Sequence, residues 1–187
     1  MMMHSNNPTS SDSLIELHVM GIALDTRTGT PIVVLNDTER RRALPIWIGT
    51  AEASAIIRNL EAIESPRPMT HDLMQTMIEQ LGYRLIRAEL VSIENDTYYA
   101  NLILESRVGG TLAVLDCRPS DAVALTLRTG SPLYATPAVM LEGTVSANQQ
   151  KDEQESEAFK QFISNLKASD FKVSSDFKAD DDEHSDN

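Results

Sequence analysis

Between Leu112 and Arg128 the polarity of the chain changes its period. LAVLDC is a short apolar run of strand type. After Arg118-Pro119-Ser120-Asp121 the chain continues through Ala122, Val123, Ala124, Leu125 and Leu127, apolar on nearly every side, which predicts a buried central helix from Pro119 to about Thr129. Pro119 suits the first helical position. Asp121 falls in the first turn, where a carboxylate meets unpaired amides and the positive end of the helix dipole.

Before this junction, Leu14 to Leu24 alternates as a strand, Asp25 to Thr30 forms a hairpin turn, and Pro31 to Leu35 returns. A second turn carries Glu39 and Arg40-Arg41-Arg42, either a solvated tip or a phosphate-contacting loop, and a third strand runs through Trp47. From Gly49 to Glu64, Ala53, Ile56, Ile57, Leu60 and Ile63 recur at helical spacing. Thr70 is a candidate N-cap for a second helix to about Leu81, with Leu73, Met77, Ile78 and Leu81 toward the core. Tyr83 to Ile93 and Thr97 to Ser106 predict two longer strands around a tight turn, and Thr111 to Leu115 leads to the junction. Leu133 to Ala135 is a short strand, while Pro137 to Leu141 fits strand or helix.

Strands joined by short turns, with helices that do not alternate with them one for one, predict an α+β fold: one compact domain with a largely antiparallel or mixed sheet, a buried central helix and flanking helices. Residues 1–13 read as a disordered segment and 14–143 as the domain. Residues 144–170 hold a linker and an amphipathic helix with Phe159, Phe162, Ile163 and Leu166, and 171–187 an acidic disordered tail.

Composition narrows the setting. One cysteine, Cys117, excludes an internal disulfide framework and a CxxC zinc site; no apolar run reaches membrane-span length, and the start of the chain lacks a signal-peptide pattern. A cytoplasmic protein without a membrane partner is expected. Of the net charge of −12, residues 14–143 contribute −5, from 11 Arg, no Lys and 16 acidic residues. Arginine's planar fork suits phosphate and carboxylate, whereas the acidic balance counts against sequence-independent nucleic-acid binding unless the arginines cluster.

Three separated motifs then converge: Leu44-Pro45-Ile46-Trp47-Ile48-Gly49 with Glu52-Ala53, Arg67-Pro68-Met69-Thr70-His71-Asp72-Leu73, and Asp116 to Leu125. In this order and spacing they resemble the bifunctional nuclease domain family, over about Leu14 to Gly143. Cys117 departs from the family's usual alanine, and a form of the family without an appended UvrB-interaction-type module is expected. The resemblance implies a compact α+β domain that self-associates, a dimer being favoured, with nuclease activity toward RNA and DNA.

The resemblance carries no catalytic assignment, so roles come from residue chemistry. Phosphodiester hydrolysis needs an activated water, a charge-stabilising cation and a leaving-group acid. Glu52, His71, Asp72 and Asp121 are the catalytic candidates, His71 as proton shuttle; Arg118, Arg67 and Ser120 are candidates for the phosphate. Asp116 and Asp121 are candidate ligands of a divalent cation, magnesium or manganese. The alternative is a noncatalytic oligomeric binding or regulatory module for a protein partner or a small anionic ligand. A third reading makes Arg118 and Asp121 an internal salt bridge.

Overall fold

The computed structural model describes residues 14–146. Its strands are β1 (Ile15–Leu24), β2 (Pro31–Asp37), β3 (Arg42–Trp47), β4 (Tyr83–Glu94), β5 (Thr97–Ser106), β6 (Leu112–Cys117), β7 (Leu133–Ala135) and the two-residue β8 (Val145–Ser146). They form one mixed sheet in the order β6-β5-β4-β7-β1-β2-β3-β8. Only β4 and β7 run parallel among the described strands, with Leu90 opposite Ala135; every other pair is antiparallel. The domain is α+β, as the pattern of elements predicts.

Four helices among the described residues complete it: α1 (Thr50–Leu60), α2 (Thr70–Gln80), α3 (Pro119–Thr129) and α4 (Pro137–Gly143). Their inward residues share one core with one face of the sheet, in which Leu35, Leu44, Ile56, Leu90, Val123, Leu125 and Met140 are at most 1% exposed. Each such side chain contributes about 1.5–3 kcal/mol of transfer free energy. On the other face Ala23, Ile32 and Val34 make a small cluster of strand residues.

α3 forms where Pro119 takes the first turn, and it stops at Gly130, whose φ of 67° is costly for a residue with a Cβ. Pro119, Ser120 and Ala122 to Thr126 are all buried, so this is the central helix. Thr136 caps α4 by accepting from the Val139 amide, with Pro137 next in line, which resolves Pro137 to Leu141 as helix.

Three local expectations change. α1 ends at Leu60 because the chain turns through Ala62 in the left-handed region, with the Ile63 amide donating to the Arg58 carbonyl; Leu60 and Ile63 are each 43% exposed rather than core. The cap of α2 is Met69, not Thr70, since the Asp72 carboxylate reaches back to accept from the Met69 amide. α2 also presents a different face to the core. His71, Met74 and Ile78 face inward, whereas Leu73, Met77 and Leu81 are exposed. The terminal segments expected to be disordered and the helix expected around Phe159 to Leu166 lie outside the described residues.

Candidate active site

The sheet delivers three helix N-termini to one place. β3 leads through Ile48 and Gly49 into α1, β6 leads through Arg118 into α3, and the loop after α1 ends at the start of α2. Glu52 lies in the first turn of α1, His71 and Asp72 in that of α2, and Asp121 in that of α3, with Arg118 as the α3 N-cap. Each first turn concentrates partial positive charge, which explains a carboxylate at each start.

The side chains meet through Arg118 and Asp121. Arg118 Nε donates to Asp121 Oδ2 at 2.8 Å and Nη2 to Asp121 Oδ1 at 3.0 Å, a two-toothed pair. Its Nη1 donates to Glu52 Oε1 at 2.6 Å, joining α3 to α1. Asp121 Oδ1 also lies 3.0 Å from His71 Nε2, joining α3 to α2. Burial pushes the Asp121 carboxyl up, but Arg118 and His71 together outweigh it and hold the group below the ordinary range. Asp121 is therefore a carboxylate that only accepts, so His71 Nε2 carries the proton of their bond.

Glu52 is held low by its own backbone N–H and then by Arg118. Its carboxylate folds over Gly49 so closely that a Cβ added there would collide with Oε2. Asp121, then Glu52, raises the affinity of Arg118 for its proton. Arg118 is nonetheless 64% exposed in its side chain, whereas His71 is 6% exposed overall. The cation faces solvent and the imidazole sits behind it.

Asp72 belongs to a second, deeper connection. Its Oδ1 accepts from Arg128 Nε at 2.6 Å and its Oδ2 from the Met69 amide at 2.8 Å, contacts that in that order hold its carboxyl low. Arg128, only 6% exposed in its side chain, also donates to the Ala124 carbonyl and to the Ala55 carbonyl of α1. It ties the last turn of α3 to α1 and to the start of α2. Arg128 is not among the residues predicted from sequence, although a lone arginine on an otherwise apolar helix was the signal for it.

Glu52, His71, Arg118 and Asp121 thus form one bonded chain, and Asp72 lies beside His71 but turns to Arg128. Arg67 is exposed in the loop before α2, and no described hydrogen bond joins it to the others. Ser120 is 6% exposed, packed into the helix layer. Asp116 is exposed on β6 opposite Asn101, with no described bond to Asp121. Arg40, Arg41 and Arg42 stand at an exposed turn organised by Asp37, where Arg41 pairs with Glu39. Burial pushes the Cys117 thiol up to about 12, so it is not a nucleophile near neutrality.

A hard divalent cation takes several oxygen ligands at once. Here Glu52, Asp72 and Asp121 each accept from a guanidinium, and no group of three or more His, Cys, Asp or Glu suited to a metal occurs among the described residues. The carboxylates as arranged do not fit a protein-made metal cage. A cavity of about 340 Å³ opens elsewhere, between β1, the start of β7 and the end of α3, and none of the bonded residues lines it.

The match to known proteins covers the elements that carry this arrangement: residues 33–148 match the Bifunctional nuclease domain. The chain belongs to that family. The match begins within β2, later than the Leu14 expected as the start of the resemblance, and spans all three helix starts. An uncharacterized protein of Mycobacterium tuberculosis is 35% identical over 166 residues, 84% of this chain and 98% of that protein. Two plant members of the family, each named Bifunctional nuclease 1, are more distant. The one from Oryza sativa subsp. japonica is 29% identical over 93 residues and that from Arabidopsis thaliana 25% over 92, in both cases 48% of this chain and 28% of the plant protein. No helix among the described residues is long and apolar enough to cross a membrane.

Proposed function

We propose that the chain hydrolyses phosphodiester bonds of RNA or DNA at the junction of α1, α2 and α3. The observation that carries this is the double use of Asp121, which binds Arg118 on one side and His71 on the other. A phosphate-binding cation and a proton-carrying imidazole thereby share one carboxylate. Arg118 donates three N–H groups internally and retains two for phosphate oxygens, in a field of three helix N-termini that favours an anion. Glu52 holds the guanidinium in place. Asp121 fixes His71 so that its other ring nitrogen is the one available to move a proton to or from the reacting oxygens.

The plant relatives are named nucleases, which favours this reading at the level of the family. Family membership also supports a nucleic-acid partner, and nothing in the proposed steps requires a metal ligated by the protein. A cation entering with the substrate phosphates would add charge neutralisation. The test is cleavage of end-labelled RNA and single-stranded DNA by purified protein with magnesium, with manganese and with EDTA. Cleavage that follows the protein through purification is expected; no cleavage in any arm contradicts the proposal.

A noncatalytic binding module is favoured by one observation. Every carboxylate of the constellation is already paired within the molecule, and the imidazole is nearly covered. Such a module would retain nucleic-acid or anion binding without turnover in the same assay.

A further inference from the structure

Met69, Leu73, Met77 and Leu81 recur every fourth residue along α2 and its two caps, and they are 46%, 53%, 55% and 73% exposed. Residues four apart stand one above another on a helix, so these side chains make one continuous ridge on the side away from His71, Met74 and Ile78. Thr76 and Gln80, beside the ridge, are exposed and uncharged. The ridge presents roughly 400 Å² of apolar surface, within the range of the largest patches on monomeric proteins, which are often functional.

We propose that this ridge is a two-fold interface between two copies of the chain, with α2 packed antiparallel on its counterpart. Three features select a second copy. First, a two-fold axis midway between Leu73 and Met77 sets Leu73 against the partner's Met77 and Met69 against the partner's Leu81. The surface is therefore complementary to itself, as an isologous contact requires, and its four-residue ridge suits packing into the matching groove.

Second, the two ridges together remove about 800 Å² from water, and the flanking Thr76 and Gln80 bring the contact toward the ~1,000 Å² that a specific dimer needs. Third, the chain carries a net charge of −12, so two copies repel except where the approaching faces are uncharged. The ridge is such a face, and antiparallel packing also opposes the two helix dipoles favourably. This inference is independent of the nuclease reading.

Sedimentation velocity of the full chain over a range of concentrations tests it. Wild type is expected to be a dimer. Leu73→Glu/Met77→Glu, which sets like charges across the axis, is expected to weaken the dimer by on the order of ten-fold or more, with unchanged circular dichroism and melting. Leu73→Glu/Met77→Lys sets opposite charges across the same axis and is expected to associate more tightly than the all-glutamate variant. A monomeric wild type, as when the chain's own Phe159 to Leu166 segment covers the ridge, overturns the proposal. So does a dimer that both double variants leave intact or weaken equally.

Discussion

His71 Nε2 lies 3.0 Å from Asp121 Oδ1, closing a contact across 50 residues of chain between the first turns of α2 and α3. Because Asp121 is held as a carboxylate by Arg118, the shared proton belongs to the imidazole. Nitrogen NMR of labelled protein is expected to find His71 protonated at Nε2. A neutral ring protonated at Nδ1 alone would contradict this geometry.

Two arginines on α3 are expected to behave oppositely when truncated. Arg118 is largely exposed, so Arg118→Ala is expected to cost at most about 1 kcal/mol of stability. It should nevertheless weaken nucleic-acid binding and reduce the salt dependence of binding by about one phosphate contact. Arg128 is buried and leaves the Asp72 carboxylate and the Ala55 carbonyl without their donor, so Arg128→Ala is expected to cost about 2–4 kcal/mol in urea unfolding. Equal losses of stability would show that exposure does not separate the two roles.

Gly49 offers a way to move Glu52 without changing its charge. Its backbone angles, φ −74° and ψ 161°, suit any residue, yet a Cβ would strike the Glu52 carboxylate. Gly49→Ala is expected to release Arg118 from Glu52 and lower cleavage about ten-fold or less, with melting little changed. Cleavage equal to wild type would mean that the Glu52 contact does not position Arg118 for the reaction.

The pH dependence of stability follows from the same groups. Asp72 and Asp121, ordinarily near 3.8, and Glu52, near 4.5, are all lowered in the folded protein. Their stabilisation is complete above those unfolded values and is lost as pH falls through the depressed folded ones. Cys117 acts at the other end. Its thiol ionises near 9.0 when unfolded but only at about 12 when folded, so stability declines as pH rises above about 9. Urea unfolding across pH is expected to show both losses, and Cys117→Ala is expected to remove the alkaline component attributable to the thiol.

Most of the architecture was legible because it is local. The period change at Arg118, the proline at the first turn of α3 and the two-residue turn at Asn95 and Asp96, both at positive φ, need only neighbouring residues. The face that α2 buries was not legible in this way. Apolar residues occur on two sides of it, and the choice is made by a polar residue, His71, whose partner Asp121 is distant in sequence. Glu52, His71, Arg118 and Asp121 were identifiable as chemistry-bearing residues at element starts. Arg128 stood out only as a lone arginine on an otherwise apolar helix, and the pairing of Arg87 with the buried Glu89, at 2.5 Å, was hidden because burial of a charge depends on what packs over it.

The Arg118–Asp121–His71 chain is proposed as the hydrolytic site. Its most direct test is single-turnover cleavage of labelled RNA and DNA by His71→Ala and Asp121→Asn beside wild type, with unfolding measured on the same preparations. Folded variants that lose about 10²-fold or more in cleavage rate are predicted. Folded variants that cleave at the wild-type rate would show that hydrolysis does not depend on this chain of side chains.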